Sequence, residues 1–249
     1  MRYFTSDFHF GSAVLLDKQA MGPKARNFKS LDEMHAAILD ACSVVKPGDT
    51  LYHLGDFACK GNDRNKYRGL DNRAEVIDFL NKIPGNKIMV AGNHDVNNGV
   101  PVACDYMVVK LGKWTASFQH YPSDNANARI GDRLMNWPWQ LNICGHVHSW
   151  WKVMYDPVHK VVNINVGLDR NGFKLYSESD LTQLIVNVAK WMKAGHKMSY
   201  DKWEKLQLEQ KRDKKREQVL KDLTWRRDNR PDLLTPELRA KLECMLAEQ

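Results

Sequence analysis

An α/β protein with an appended helical stretch is what the sequence predicts, and three observations predict it. Short apolar runs alternate with helical patterns through the first two thirds of the chain. Five small motifs rich in His, Asp and Asn each follow one of those runs. From about Ser177 onward the strand signal fades and only helical segments remain.

The strand candidates are short and rich in β-branched or aromatic residues: Tyr3 to Ser6, Thr50 to Leu54, Lys87 to Val90, Tyr106 to Leu111, Trp114 to Gln119, Leu141 to Cys144, Lys152 to Tyr155 and Val161 to Val166. Ser30 and Glu33 form a capping-box pattern ahead of Leu31, Met34, Ile38, Cys42 and Val45, a three-to-four spacing that puts one apolar stripe on a helix. Lys46-Pro47-Gly48-Asp49 ends it. A second helix from about Arg73 presents Ala74, Ile77, Leu80 and Ile83, and Pro84-Gly85-Asn86 breaks the pattern. Helices are further expected over Asp180 to Lys193, over Tyr200 to about Leu223, and after Thr235 as N-cap with Pro236 at the first position. Trp203, Leu206, Leu223 and Trp225 give this region apolar material for docking. Its basic run Lys211-Arg212-Asp213-Lys214-Lys215-Arg216 reads first as a solvated helix face, and second as an arm for an anionic ligand.

At 249 residues and 43% hydrophobic content the chain can bury a substantial core, which excludes disorder as its main state. No apolar run reaches the roughly eighteen residues of a membrane span, and Asp7 comes too early for a secretory leader, so a cytoplasmic protein is expected. The five cysteines are odd in number and lack CxxC spacing, which argues for reduced thiols over a disulfide framework or a thiolate zinc site. A formal charge of +7 favours anionic partners without locating a site.

The motifs are Asp7-Phe8-His9, Gly55-Asp56, Gly92-Asn93-His94-Asp95, His120 in Gln119-His120-Tyr121-Pro122, and Gly145-His146-Val147-His148. Loops at the carboxyl ends of strands in α/β folds converge on one crevice, so residues far apart in sequence can meet there. Carboxylate, carboxamide and imidazole donors together suit Mn, Fe, Zn or similar divalent ions, and neither a calcium cage nor an iron–sulfur cluster. The glycines before Asp56, Asn93 and His146 allow a sharp turn out of a strand. Each motif alone is common, but chance accounts poorly for all five in this order, and five of the nine histidines fall within them. Trp137-Pro138-Trp139 and Trp150-Trp151 lie nearby and are read as core ahead of a base-stacking surface.

These motifs resemble those of the calcineurin-like metallophosphoesterase superfamily. Ser6-Asp7-Phe8-His9-Phe10-Gly11, Arg26-Asn27-Phe28-Lys29-Ser30 with Glu33-Met34, His53-Leu54-Gly55-Asp56-Phe57 and Asn163-Ile164-Asn165-Val166-Gly167 resemble its small single-domain bacterial and phage members. The likeness covers roughly residues 1–188 and leaves 189–249 as a basic helical extension. It implies a four-layer αββα sandwich of two mixed β-sheets flanked by helices. It also implies that Asp7, His9 and His148 hold one ion, that Asn93, His120 and His146 hold a second, and that Asp56 bridges them. Two such ions, manganese ahead of iron, nickel, zinc or magnesium, would share a hydroxide that attacks phosphorus. The resemblance further implies that His94 faces the substrate, where it can protonate the leaving oxygen or stabilise the transition state. Asp95 is expected to orient that imidazole, with a helix N-cap as the alternative.

One departure is informative. Asp56 is followed by Phe57-Ala58-Cys59-Lys60, without the Asp-Arg pair of the family's protein phosphatases. Arg26 is therefore the candidate phosphate-binding residue. The expected activity is hydrolysis of a nucleotide or nucleic-acid phosphodiester. A phosphomonoesterase is the alternative, followed by an inactive scaffold and by a nucleic-acid-binding protein.

Overall fold

The computed structural model describes residues 1–59, 70, 73–95, 98–122 and 139–247. The first elements are β1 (Arg2–Thr5), α1 (Lys18–Met21), α2 (Leu31–Cys42), β2 (Thr50–Leu54), α3 (Arg73–Lys82) and β3 (Asn86–Val90). Then come β4 (Tyr106–Leu111), β5 (Trp114–Gln119), β6 (Gln140–Cys144), β7 (Val153–Asp156), β8 (Val161–Asn165) and β9 (Tyr176–Ser177). The remaining helices are α4 (Glu178–Lys193), α5 (Tyr200–Asn229) and α6 (Pro236–Ala247). The chain divides into two compact units, Met1–Tyr200 and Asp201–Gln249.

Two mixed sheets form the first unit, as the sandwich expectation requires. One has the order β3-β2-β1-β9, with β1, β2 and β3 parallel and β9 antiparallel at the edge. The other has the order β4-β5-β6-β8-β7, with β5, β6 and β8 parallel and both outer strands antiparallel. Strand alternation decides what each face meets. Phe4 and its register partner Tyr52 point across to Phe118 of the second sheet, at ring distances of 5.4 and 6.0 Å. Leu51 and Met89 point the other way, into a core closed by Met34, Ile38 and Cys42 of α2 and by Val76 and Leu80 of α3. Helices α2 and α3 thus cover the outer face of the first sheet, and the carboxyl ends of β1, β2 and β3 share one edge.

Local signals explain the helix boundaries. Ser30 accepts from the Glu33 amide at 3.1 Å, while the Glu33 carboxylate takes the Lys29 amide, one residue before the reciprocal partner of a full capping box. Ser177 and Asp180 make the full box and start α4 two residues before the sequence expectation. The buried stripe is Val76 and Leu80 of α3 with Ile83 just past its end, whereas Ala74 is exposed and Ile77 is at the margin. The expected stripe thus holds at Leu80 and Ile83, while Val76 takes the buried place expected of Ala74 and Ile77. In the second unit, Leu223, Leu234, Leu242 and Met245 form a small core of their own. Trp225 is 56% exposed and so is not docked as the sequence suggested, and residues 211–216 lie exposed on α5.

His53 of β2 sits in the first core with 0% exposure, its ring 4.4 Å from Phe8 and 5.3 Å from Phe57, and neither ring nitrogen has a hydrogen-bond partner. Burial pushes its pKa down from 6.5 to about 3. Below pH 6.5 the unfolded chain takes up a proton that the folded chain refuses until about pH 3, so stability falls as the pH drops through that window. The slope is at most about 1.4 kcal/mol per pH unit. His53→Leu is expected to lose up to roughly 2–3 kcal/mol less than wild type between pH 6.5 and 4.5, read from urea midpoints. Equal losses in the two proteins would contradict this.

Candidate metal centre

The loops that leave β1 and β2 continue the parallel ladder beyond the strands. The Asp7 amide donates to Gly55 O at 3.0 Å, the His9 amide to Asp56 O at 2.9 Å and the Phe10 amide to Phe57 O at 3.0 Å. Within this extension the backbone turns left-handed. Eight non-glycine residues have positive φ among the described residues, and five of them are Asp7 (59°), His9 (54°), Asp56 (59°), His146 (70°) and His148 (49°). Such a conformation costs about 1–3 kcal/mol per residue and persists where the surroundings impose it.

The surroundings here are hydrogen bonds to buried carboxylates. Asp7 accepts from Ser6 Oγ at 2.5 Å and from the His146 amide at 3.0 Å, which ties the first sheet's loop to the second's. Asp56 accepts from the His94 amide at 2.8 Å. Gly92 and Gly145 complete the fit through size: both lie outside the positive-φ set, but a Cβ on Gly92 would enter the Asp56 carboxylate, and one on Gly145 would enter Ser6 and Asp7. The sharp-turn reason expected for these two glycines is therefore replaced by close approach.

All seven sequence-predicted donors converge. Donor atoms of Asp7, His9 and His148 lie within 4.8 Å of one another, and so do those of Asp56, His120 and His146. Asn93 Oδ1 is 3.1 Å from both His120 Nε2 and His146 Nδ1. Asp56 Oδ2 stands between the groups, 3.2 Å from His120 Nε2 and 3.5 Å from His9 Nε2.

Protons satisfy this arrangement only in part. His120 Nδ1–H donates to Leu54 O at 2.8 Å, so in the neutral ring Nε2 presents a lone pair to two further acceptors, Asn93 Oδ1 and Asp56 Oδ2. His9 is 3% exposed with no hydrogen bond to either nitrogen. A cation would satisfy both defects, and the nitrogen and oxygen donor set fits a divalent ion. Without one, burial disfavours the charged His120 ring, but its hydrogen bond to Asp56 and the charges of Asp7 and Asp56 outweigh this and raise the pKa to about 9. Burial would raise the Asp56 carboxyl, yet His120 and His9 hold it well below the usual carboxylate range. Burial lowers His9 far below its ordinary value.

The remaining candidates sit differently. His94 lies at the exposed side of the centre, its ring 5.0 Å from that of His9. Its Nδ1 is 3.6 Å from Cys59 Sγ, and this contact, against burial and with help from Asp56, raises its pKa. Asp95 does not orient His94. Its carboxylate accepts from the backbone amides of Asp56 (2.8 Å), Phe57 (2.9 Å), Ala58 (3.4 Å) and Gly92 (2.9 Å), because adjacent residues on a turn point in different directions. Arg26 is 4% exposed, so it does not face a substrate; its guanidinium is bonded to Asp169 and to the carbonyls of Asp7 and Phe8. Trp150, expected in the core, is 63% exposed with the Lys24 ammonium 3.9 Å from its ring centroid. Residues 60 and 137–138 lie outside the described residues.

Sequence reasoning missed Asp169, which accepts from His148 Nδ1–H at 2.8 Å, and Asn165, which donates to His148 O at 2.7 Å. The run Asn163 to Gly167 was a usable signal for Asn165. Asp169 had none, since an Asp at the start of a short turn is ordinary.

The class is that of a two-sheet α/β protein built around a divalent-metal site at the carboxyl edge of its strands. The family model for the calcineurin-like phosphoesterases matches residues 3–235, and the chain belongs to that family. It is accordingly a metal-dependent phosphoesterase, a hydrolase whose substrate carries a phosphate ester. A protein of unknown function from Aquifex aeolicus is 28% identical over 74% of this chain and 98% of its own, with a TM-score of 0.51. A phosphoesterase from E. coli is 21% identical over 66% of this chain and 77% of its own, with a TM-score of 0.39. None of the curated proteins matches the chain. No helix among the described residues is long and apolar enough to cross a membrane.

Asp95→Ala leaves the amides of Asp56, Phe57 and Gly92 without their acceptor. It is expected to destabilise the fold by about 2–4 kcal/mol in urea unfolding of the metal-free protein. Unchanged stability with lost turnover would restore a catalytic role for Asp95.

Proposed function

We propose that the centre holds two divalent ions, manganese ahead of iron, nickel, zinc or magnesium, and that the protein hydrolyses a nucleotide or nucleic-acid phosphodiester. The observation that carries the two-ion reading is Asp56 Oδ2, 3.5 Å from His9 Nε2 and 3.2 Å from His120 Nε2, which links the Asp7, His9 and His148 group to the group Asp56 makes with His120 and His146. Asp7, His9 and His148 would hold one ion, Asn93, His120 and His146 the other, and Asp56 both. Ions bound there supply Lewis-acid chemistry, lowering the pKa of water and offsetting phosphate charge.

The protein's own groups do the rest. His94, on the exposed side with its donor atom within 4.8 Å of those of His9 and Asp56, is assigned here to the substrate and not to an ion, giving a proton to the leaving oxygen. Asp95 fixes the loops after β2 and β3 and takes no part in proton transfer. Two features support a nucleotide-type diester: the net charge of +7, and the exposed Trp150 face two residues past His148 with a lysine above it, a surface suited to a base carried beside a phosphate. The reading places the protein in the cytoplasm, where its cysteines stay reduced.

The test is hydrolysis of a chromogenic phosphodiester beside the matching monoester by metal-stripped protein reloaded with Mn, Ni, Zn or Mg. Diester cleavage is expected to be the faster, and Asp56→Asn is expected to lose nearly all turnover while keeping the wild-type circular dichroism spectrum. Faster monoester cleavage would make the protein a phosphomonoesterase. Wild-type rates in metal-replete Asp56→Asn would refute the two-ion reading, and inactivity with every metal would leave a scaffold.

A further inference from the structure

We infer that Arg26 and Asp169 form a buried positioning pair that sets the metal affinity of one half of the centre, the half built from Asp7, His9 and His148. The inference rests on the two-ion reading above. Arg26 reaches the pair from the segment between α1 and α2, and Asp169 from the turn Leu168–Asn171 that follows β8. Their side chains are 1% and 8% exposed.

The contact is bidentate: Arg26 Nε donates to Asp169 Oδ1 at 2.7 Å and Nη2 to Asp169 Oδ2 at 2.9 Å. The planar fork suits a carboxylate and fixes its orientation. The same guanidinium has two further tasks. Nη1 donates to Phe8 O at 2.8 Å and Nη2 to Asp7 O at 2.5 Å. Asp7 and His9, on either side of Phe8, are both left-handed, so these bonds hold the strained stretch that presents both side chains. On its far side Asp169 Oδ2 accepts from His148 Nδ1–H at 2.8 Å, which fixes the ring and leaves Nε2 as its ligand atom.

The pair therefore touches the backbone that carries Asp7 and His9 and the ring of His148, three donors from two sheets. It makes no hydrogen bond to Asn93, His120 or His146. That half has its own anchor in His120 Nδ1–H to Leu54 O at 2.8 Å, and it meets the first half where the His146 amide donates to the Asp7 carboxylate. The consequence is an asymmetry: loss of the pair should weaken one ion and spare the other. Outer partners of this kind typically change metal affinity about 10- to 100-fold.

The test is calorimetric titration of metal-free protein with Mn²⁺, resolving the two equivalents, for wild type, Asp169→Asn, Arg26→Lys and Asp169→Glu, each checked for wild-type circular dichroism. One equivalent is expected to bind as in wild type and the other about 10- to 100-fold more weakly in Asp169→Asn and Arg26→Lys. Adding Asp169→Asn to His148→Ala should weaken binding less than it does in wild type, because only the route through Arg26 is left, whereas adding it to Asn93→Ala should give additive losses. Equal weakening of both equivalents, or full additivity with His148→Ala, would overturn the inference, and so would unchanged affinity in every folded variant. A wild-type protein that takes up no Mn²⁺ would overturn the two-ion reading and this inference together. Two equivalents bound by the wild type and weakened alike in the variants would overturn the inference alone.

Discussion

Asp56 is a carboxylate with 1% exposure, placed against the nitrogens of two imidazoles, and its charge is costly to bury unless something pairs with it. Most of the centre can be read as the answer to that requirement. Parallel pairing of β1, β2 and β3 brings their carboxyl ends to one edge, so Asp7, Asp56 and Asn93 leave the first sheet side by side. The second sheet delivers His120 after β5 and His146 and His148 after β6. Direct bonds join the two edges, from the His146 amide to Asp7 and from His120 Nδ1 to Leu54 O.

Convergence has a conformational cost. Five of the seven donors stand in left-handed backbone, and each needs a bond that forbids relaxation. Asp95 supplies several of these by taking the amides around Asp56 and Gly92, and Arg26 supplies more by taking the carbonyls of Asp7 and Phe8. Asp95 reads in the sequence as a partner of His94 and Arg26 as a phosphate-binding residue, and both side chains hold backbone in place. The absence of a Cβ at Gly92 and Gly145 lets the carboxylates approach the neighbouring loops.

Much of this was legible in the sequence. β2, β4 and β5 coincide with their expected runs because each is bounded by clear turn residues, and the seven donors were readable because each lies immediately past a strand. β9 was not, since Tyr176–Ser177 is too short to show periodicity and exists through pairing with Tyr3 and Phe4. Asp95 follows His94 in sequence but turns away from it in space, towards the amides of Asp56, Phe57 and Gly92. The Arg26–Asp169 pair, which links segments 143 residues apart, depends on tertiary folding that no local pattern encodes. Trp150 escaped because aromatic residues are buried on average, and an exposed one looks the same in a sequence.

The most direct test of the central claim is anomalous diffraction from crystals of the metal-free protein soaked in Mn²⁺. The account predicts two anomalous peaks on either side of the Asp56 carboxylate, one bounded by Asp7, His9 and His148 and the other by Asn93, His120 and His146. A single peak, or peaks that leave Asp56 without a metal contact, would contradict it.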